Sequence, residues 1–211
     1  MLCGATKLYC FRFFIYSQRF NRADTFARLS CRSMAAKKVK TEIVADSEEK
    51  FTPFYSKASP FSQHHFCEFE IDGMRFNCAE QYMMYQKAVL FQDNEMARKI
   101  MASKDPVEQK RFGRNVKNFD QAKWNEVCED IVRKANKEKF TQNQELKQAL
   151  LATRGTTLVE ASPRDRKWGV GLGVNNEGVH SRKKWRGKNL LGQILTSVRD
   201  EIEMKEKSAI N

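Results

Sequence analysis

Leu150-Leu-Ala-Thr-Arg-Gly-Thr-Thr-Leu-Val-Glu-Ala-Ser-Pro-Arg-Asp-Arg-Lys-Trp-Gly-Val-Gly171 reads as a helix end, a short apolar strand and a loop in direct succession. The loop carries a carboxylate (Asp165), an indole (Trp168) and two glycines (Gly169 and Gly171). A core-forming segment has no use for that composition. A site that stacks a flat ring and handles a proton does. Structural roles stay open for the same residues: Ser162-Pro-Arg-Asp165 is sound turn chemistry, and Trp168 can equally close the loop over a core.

Working outward, the C-terminal side holds a helix over 189–204, with Leu190, Leu191, Ile194, Leu195, Val198 and Ile202 along one face and Asn189 as its cap. On the N-terminal side, a helix over 143–152 leads into the quoted stretch. Before it, 121–140 is the clearest helix, with Trp124, Val127, Cys128, Ile131 and Ala135 at helical spacing and charge on the other face. Shorter helices fit 93–102 and 106–115, the second opened by Asp105-Pro106, a cap with proline at the first turn. Phe66 to Phe76 reads as a β-hairpin. Phe69 and Ile71 alternate with Glu68 and Glu70, Asp72-Gly73 is a favoured two-residue turn, and Met74 and Phe76 resume the alternation. Ala79 to Phe91 then has helical composition without Gly or Pro. These elements predict a single α+β domain, predominantly helical, with a small β-hairpin or sheet and no doubly wound alternation.

On the 79–91 helix, Glu80 and Lys87 stand seven residues apart, nearly two turns, so both project from one face about 10 Å apart along the axis. Met83 or Met84 and Ala88 share that face, which argues for partial burial, and charge on a buried face is costly unless paired or functional. A solvated charged face is the alternative. Gly169-Val-Gly171-Leu-Gly173 lacks the next glycine of a dinucleotide fingerprint, since Val174 stands there, and no Walker lysine follows. His64-His65 with Cys67 and Cys78 has no paired ligand spacing, so neither a metal nor a cofactor is expected. Arg182-Lys-Lys-Trp-Arg-Gly-Lys188 is a basic run that serves as a solvated loop or as a phosphate contact.

The chain has 211 residues and a formal charge of +12. Nine basic side chains fall within residues 1–40 against Asp24 alone, so eight of the twelve net charges lie there. The body is only modestly basic, which argues against tight duplex binding. Residues 1–33, rich in Arg, Ser and aromatics, have the composition of a mitochondrial transit peptide or of a dispensable extension. Met34 offers an alternative start that would give a cytosolic or nuclear form. Residues 34–50 read as a polar linker, 51–204 as the folded domain and 205–211 as a tail. The six cysteines form no Cys-x-x-Cys pair and are expected as free thiols. No apolar run approaches the roughly 20 residues needed to span a bilayer. A soluble monomer without a membrane partner is expected.

Several short motifs occur in a specific order: Phe54-Tyr55-Ser56, Pro60-Phe61-Ser62, Asp72-Gly73, Glu80-Gln81-Tyr82, Gln86-Lys87, Gly113-Arg114, Trp124, Lys139-Phe140, Leu150 to Thr153, Val159-Glu160, Asp165, Trp168-Gly169 and Lys188-Asn189-x-Leu191-Gly192. Together they resemble the NADAR, or YbiA-like, domain over 51–204. That resemblance implies N-glycosidase chemistry: some members cleave ribosylamino-pyrimidine phosphates of riboflavin biosynthesis, others remove ADP-ribose from guanine in nucleic acid. By position it makes Glu80 the catalytic acid/base, Lys87 the amine that traps an opened sugar, and Asp165 a third catalytic group. It places Phe54, Tyr55, Ser62, Arg114, Trp124, Trp168, Gly169 and Asn189 against substrate. Gln81 replaces the family's histidine, and Ser62-Gln63-His64 stands where many members have Ser-Asn-Phe. The expected partner is ADP-ribose or a ribosyl phosphate, with a single-stranded or flipped guanine as its base. A non-catalytic ADP-ribose-binding module is the rival reading.

Overall fold

The computed structural model describes residues 49–210; the expectations for residues 1–33 and for all but the end of the 34–50 linker lie outside the described residues. Strand β1 (Lys50–Phe54) is followed by the hairpin of β2 (Phe69–Ile71) and β3 (Met74–Phe76). Five helices come next: α1 (Ala79–Leu90), α2 (Asn94–Ala102), α3 (Pro106–Arg114), α4 (Gln121–Gln142) and α5 (Gln144–Leu151). Strand β4 (Thr156–Glu160), two short 3-10 turns and helix α6 (Leu190–Ile210) complete the domain. The expected α+β, mostly helical class is what forms.

Local sequence accounts for most element ends. Asp72 and Gly73 both take positive φ (54° and 77°), the backbone that a tight hairpin turn requires. Asp93, Asp105 and Asp120 each accept a backbone N–H from the first turn of α2, α3 and α4. The Cys78 Sγ does the same for α1, accepting from Gln81 N. Helix α6 continues to Ile210, past the expected end at 204. Its apolar stripe stops at Ile202, and the extra turns are held by ion pairs instead: Lys207 with Glu203 (2.8 Å) and Lys147 with Glu206 (3.0 Å).

Strand β1 has no counterpart in the sequence reading. It pairs in parallel with β4, Lys50 opposite Thr156 and Phe54 opposite Glu160, and the Thr52 and Thr156 hydroxyls meet at 2.6 Å. A parallel pair needs a long crossover, and here the hairpin and helices α1–α5 all lie between the two strands. Strand β4 is buried on both faces. Leu158 joins the main core of α1, α4 and α6, while Val159 joins a separate cluster with Val170, Leu172 and Val179. Because side chains alternate along a strand, Glu160 falls on the Leu158 side. The end of β4 therefore delivers a carboxyl toward the helical core.

Candidate active site

A cavity of about 230 Å³ opens where α1, α3, the segment between β1 and β2 and the end of β4 with its following loop meet. Helix α1 presents Glu80, Met83, Met84 and Lys87 to it, the i, i+3, i+4, i+7 positions of one face. Helix α3 adds Lys110, Gly113 and Arg114. The segment Ser62–His64 closes one side, and Glu160, Asp165 and Trp168 close the opposite one.

Each wall is held by identifiable contacts. The Gln63 carbonyl accepts the Glu80 amide hydrogen (3.0 Å). The Ser62 carbonyl accepts from Lys139 Nζ (2.9 Å), an ammonium that reaches through the core from α4. Lys139 is fully buried, and burial lowers its pKa to about 8, opposed by the nearby Cys67 and Cys78 thiols. On the far wall, Asp165 Oδ1 accepts from Lys167 N (2.9 Å) and Trp168 N (2.8 Å). The turn role and the site role of Asp165 thus coexist: one oxygen shapes the loop while the side chain lines the cavity. Gly169 packs where a Cβ would come within 2.8 Å of the Glu160 carbonyl. Its contribution is close backbone approach.

The electrostatics are unusual for so small a space. Glu80 is 4% exposed. Burial pushes its carboxyl above the usual range; Lys110 and Arg114 oppose that, and Asp165 adds to it. His64 Nε2 lies 3.7 Å from Glu80 Oε2, and burial together with Lys110 lowers the imidazole pKa. Burial and Arg114 lower the Lys87 ammonium, whose Nζ sits 3.9 Å from the Phe119 ring centroid and 5.9 Å from that of Trp124. Burial raises Glu160 to about 7, with Asp165 the next contributor and Lys110 opposing. Three carboxyls and three cationic side chains therefore face one cavity, the arrangement that shifts proton affinities at functional sites.

The cavity gathers Ser62, Glu80, Lys87, Arg114, Asp165 and Trp168 of the expected residues. The others lie elsewhere. Phe54 packs in the core edge-on to Phe61 at 5.7 Å, and Tyr55 is 48% exposed on the adjoining segment. Trp124 is buried in the core beneath Lys87. Asn189 is fully buried, and instead of capping α6 its side chain bonds the backbone of β4 at Leu158 and Glu160 (both 2.9 Å). Gln81 turns away from the cavity and donates to Ile100 O and Ser103 O, so the family's histidine position is structural here. Among the 182–188 run, Arg182 pairs with Glu49. Sequence reading did not assign Glu160, Lys110, Gln63 or Phe119. For Glu160 a signal existed: a lone carboxylate directly after the apolar pair Leu158-Val159, at the carboxyl end of a strand, where open sheets place ligands.

Among the described residues, no helix is long and apolar enough to cross a membrane. The NADAR domain model matches residues 44–203. Protein irg-1 of Caenorhabditis elegans is 33% identical over 188 residues, covering 82% of this chain and 89% of that protein. N-glycosidase R617 of Acanthamoeba polyphaga mimivirus is 45% identical over 123 residues, 58% of this chain and 72% of its own. The NMR structure of the E. coli protein YbiA superimposes with a TM-score of 0.63 at 29% identity, covering 75% of this chain and 88% of that one.

Proposed function

The chain belongs to the NADAR domain family, and from that premise we propose that its cavity removes ADP-ribose from guanine bases of nucleic acid. At the coarser level the protein is a hydrolase of N-glycosyl bonds, as the name of its relative R617 states for that protein. The observation that carries the reading is the convergence of Glu80 and Lys87, from one face of α1, on Asp165 and Trp168 from the β4 loop.

Breaking a C1′–N bond requires proton transfer and relief of the cationic character that develops at C1′. Glu80, with an elevated pKa and a place among the cavity's cations, exchanges protons with the ring oxygen and with the attacking water. Lys87 has a lowered pKa, so more of it is the neutral amine, which is able to capture the aldehyde of an opened ribose. Asp165 orients the sugar hydroxyls or water with the oxygen its loop leaves free. Trp168 offers an indole face to the base. Lys110 and Arg114 at the rim suit a diphosphate. The cavity volume is below the range that encloses drug-sized ligands, so it takes the reacting ribose and base while the remainder of ADP-ribose lies across that rim.

The test is release of ADP-ribose from a guanine-ADP-ribosylated single-stranded oligonucleotide by the full chain, beside Glu80→Gln and Lys87→Ala. Turnover by the wild type and loss in both variants is the expected result. A folded wild type that releases nothing from this substrate but cleaves a ribosylamino-pyrimidine phosphate would reassign the site to riboflavin intermediates. Tight ADP-ribose binding without turnover on either would make the domain a reader.

A further inference from the structure

The backbone of Glu160 is held on both sides. Its amide donates to Asn189 Oδ1 (2.9 Å), and its carbonyl accepts from Val170 N (2.9 Å). The strand alternation that sends Leu158 into the main core sends the Glu160 side chain to the same side, where it lines the cavity. Its Oε2 is enclosed, away from solvent, with no hydrogen-bond donor among the described residues. A carboxylate is stable in a dry site only when donors reach its oxygens. Here one oxygen has none, and the other is left to face the cavity.

The surrounding charges separate Glu160 from Glu80. Asp165 and Glu80 both face Glu160 and disfavour its anion, with Lys110 the opposing cation. Glu80 has two cations, Lys110 and Arg114, and the His64 ring at 3.7 Å. Carboxyls crowded into one cavity do not all ionise together. Asp165 disfavours the anion of both, but Glu80 has two cations beside it where Glu160 has one and an Oε2 that meets no donor, so the shared proton belongs on Glu160.

We infer that Glu160 is a second catalytic carboxyl, the acid that protonates the departing base, a role that rests on the N-glycosidase reading above. The C1′–N electron pair moves onto the base nitrogen, and that nitrogen takes the proton carried by Glu160. The carboxylate left behind sits beside the positive charge that remains on C1′ and the ring oxygen. The Lys87 amine bonds to C1′, and its excess proton passes through Glu80 to the ring oxygen as the ring C–O bond breaks, leaving the sugar as a Lys87 imine. Water then adds to that carbon, gives its proton to Glu80 and expels the amine. Glu160 regains a proton from solvent once the base leaves, so the net reaction consumes one water and yields free base and free sugar. Division of labour between two carboxyls with differently tuned environments is the general pattern of glycosyl hydrolysis.

The experiment compares the full-length wild type, Glu160→Gln and Glu160→Asp on two glycosides of ADP-ribose. One carries guanine in a single-stranded oligonucleotide, a leaving group that needs a proton. The other carries 4-nitrophenol, which departs as its anion. Glu160→Gln is expected to lose about 100-fold or more on the guanine substrate, the size of a general-acid contribution. On the nitrophenyl substrate it should lose less than about fivefold, because no leaving-group proton is required. Glu160→Asp, which keeps an acid, should recover part of the guanine rate. Equal losses on both substrates, or a loss on neither, would overturn the assignment while leaving the hydrolase intact. A wild type that cleaves only the nitrophenyl glycoside would also overturn it. A wild type that cleaves neither would remove ADP-ribosyl-guanine as the substrate of the proposed function. A ribosylamino-pyrimidine phosphate then takes its place as the proton-requiring substrate, on which an undiminished Glu160→Gln rate would overturn the assignment.

Discussion

Asn189 Oδ1 accepts the Glu160 amide hydrogen at 2.9 Å, while Asn189 Nδ2 donates to the Leu158 carbonyl at the same distance. One side chain, at the residue preceding α6, thus braces the strand end that carries a cavity carboxyl. Asn189 itself takes a positive φ of 55°, which asparagine tolerates better than most residues.

Replacing Asn189 with Ala leaves a buried N–H and a buried C=O without partners and strains the backbone. A loss of about 2–4 kcal/mol is expected, since each unmet buried group costs about 1–3 kcal/mol. Chemical denaturation measures it. Asn189→Gly, which relieves the strain without restoring the bonds, should be less harmful by about 1 kcal/mol.

Gly113 of α3 packs against Met84 of α1 so closely that a Cβ would come within 2.0 Å of the Met84 Sδ and 3.1 Å of its Cβ. Gly113→Ala therefore forces Met84 to shift at the cavity wall. Overpacking of this kind costs about 1–3 kcal/mol. Adding Met84→Ala should restore much of the Gly113→Ala loss, giving a double-mutant coupling above about 0.5 kcal/mol. Additive losses would show that the two residues do not compete for that space.

Glu160 carries its proton to about pH 7 in the folded chain, above the ordinary carboxylate value of 4.5. The folded state therefore binds that proton more tightly than the unfolded chain does. The resulting stabilisation is complete below about pH 4.5 and is lost as pH rises through about 7. Glu160→Gln removes this dependence. Its melting temperature relative to the wild type should rise steadily between about pH 5 and pH 8, read by thermal denaturation across that range.

Lys87 is lowered by burial and by Arg114. Reduction with borohydride during turnover should therefore fix the sugar to Lys87, seen as a mass increase on the peptide that contains it. Arg114→Met removes the positive neighbour and raises the Lys87 pKa. The yield of adduct should then fall at neutral pH and recover at higher pH. An adduct mapped to Lys110 instead would move the nucleophile from α1 to α3.

How much of this was legible in the chain follows from the range of each interaction. The Asp72-Gly73 turn, the cap at Asp105 and the α1 face of Glu80, Met83, Met84 and Lys87 are set by residues a few positions apart. The strand β1 is different. Its partner β4 begins at Thr156, opposite Lys50, so nothing local distinguishes it from the segment before it. Trp124 and Trp168 make the same point for the site. Both are indoles in plausible settings, yet one faces the core and the other the cavity, because helix rotation and loop path decide which.

The sequence by itself determined a mostly helical α+β domain and a helix face bearing an acid and an amine, because periodicity and turn chemistry act over short distances. It also placed Asp165 and Trp168 in one loop. Only the tertiary structure decided that this loop closes over that helix face, that Asn189 serves β4 rather than α6, and that Glu160 becomes an enclosed acid. Burial and the field of neighbouring charges set the proton affinity of a carboxyl, and both arise only when distant segments pack together.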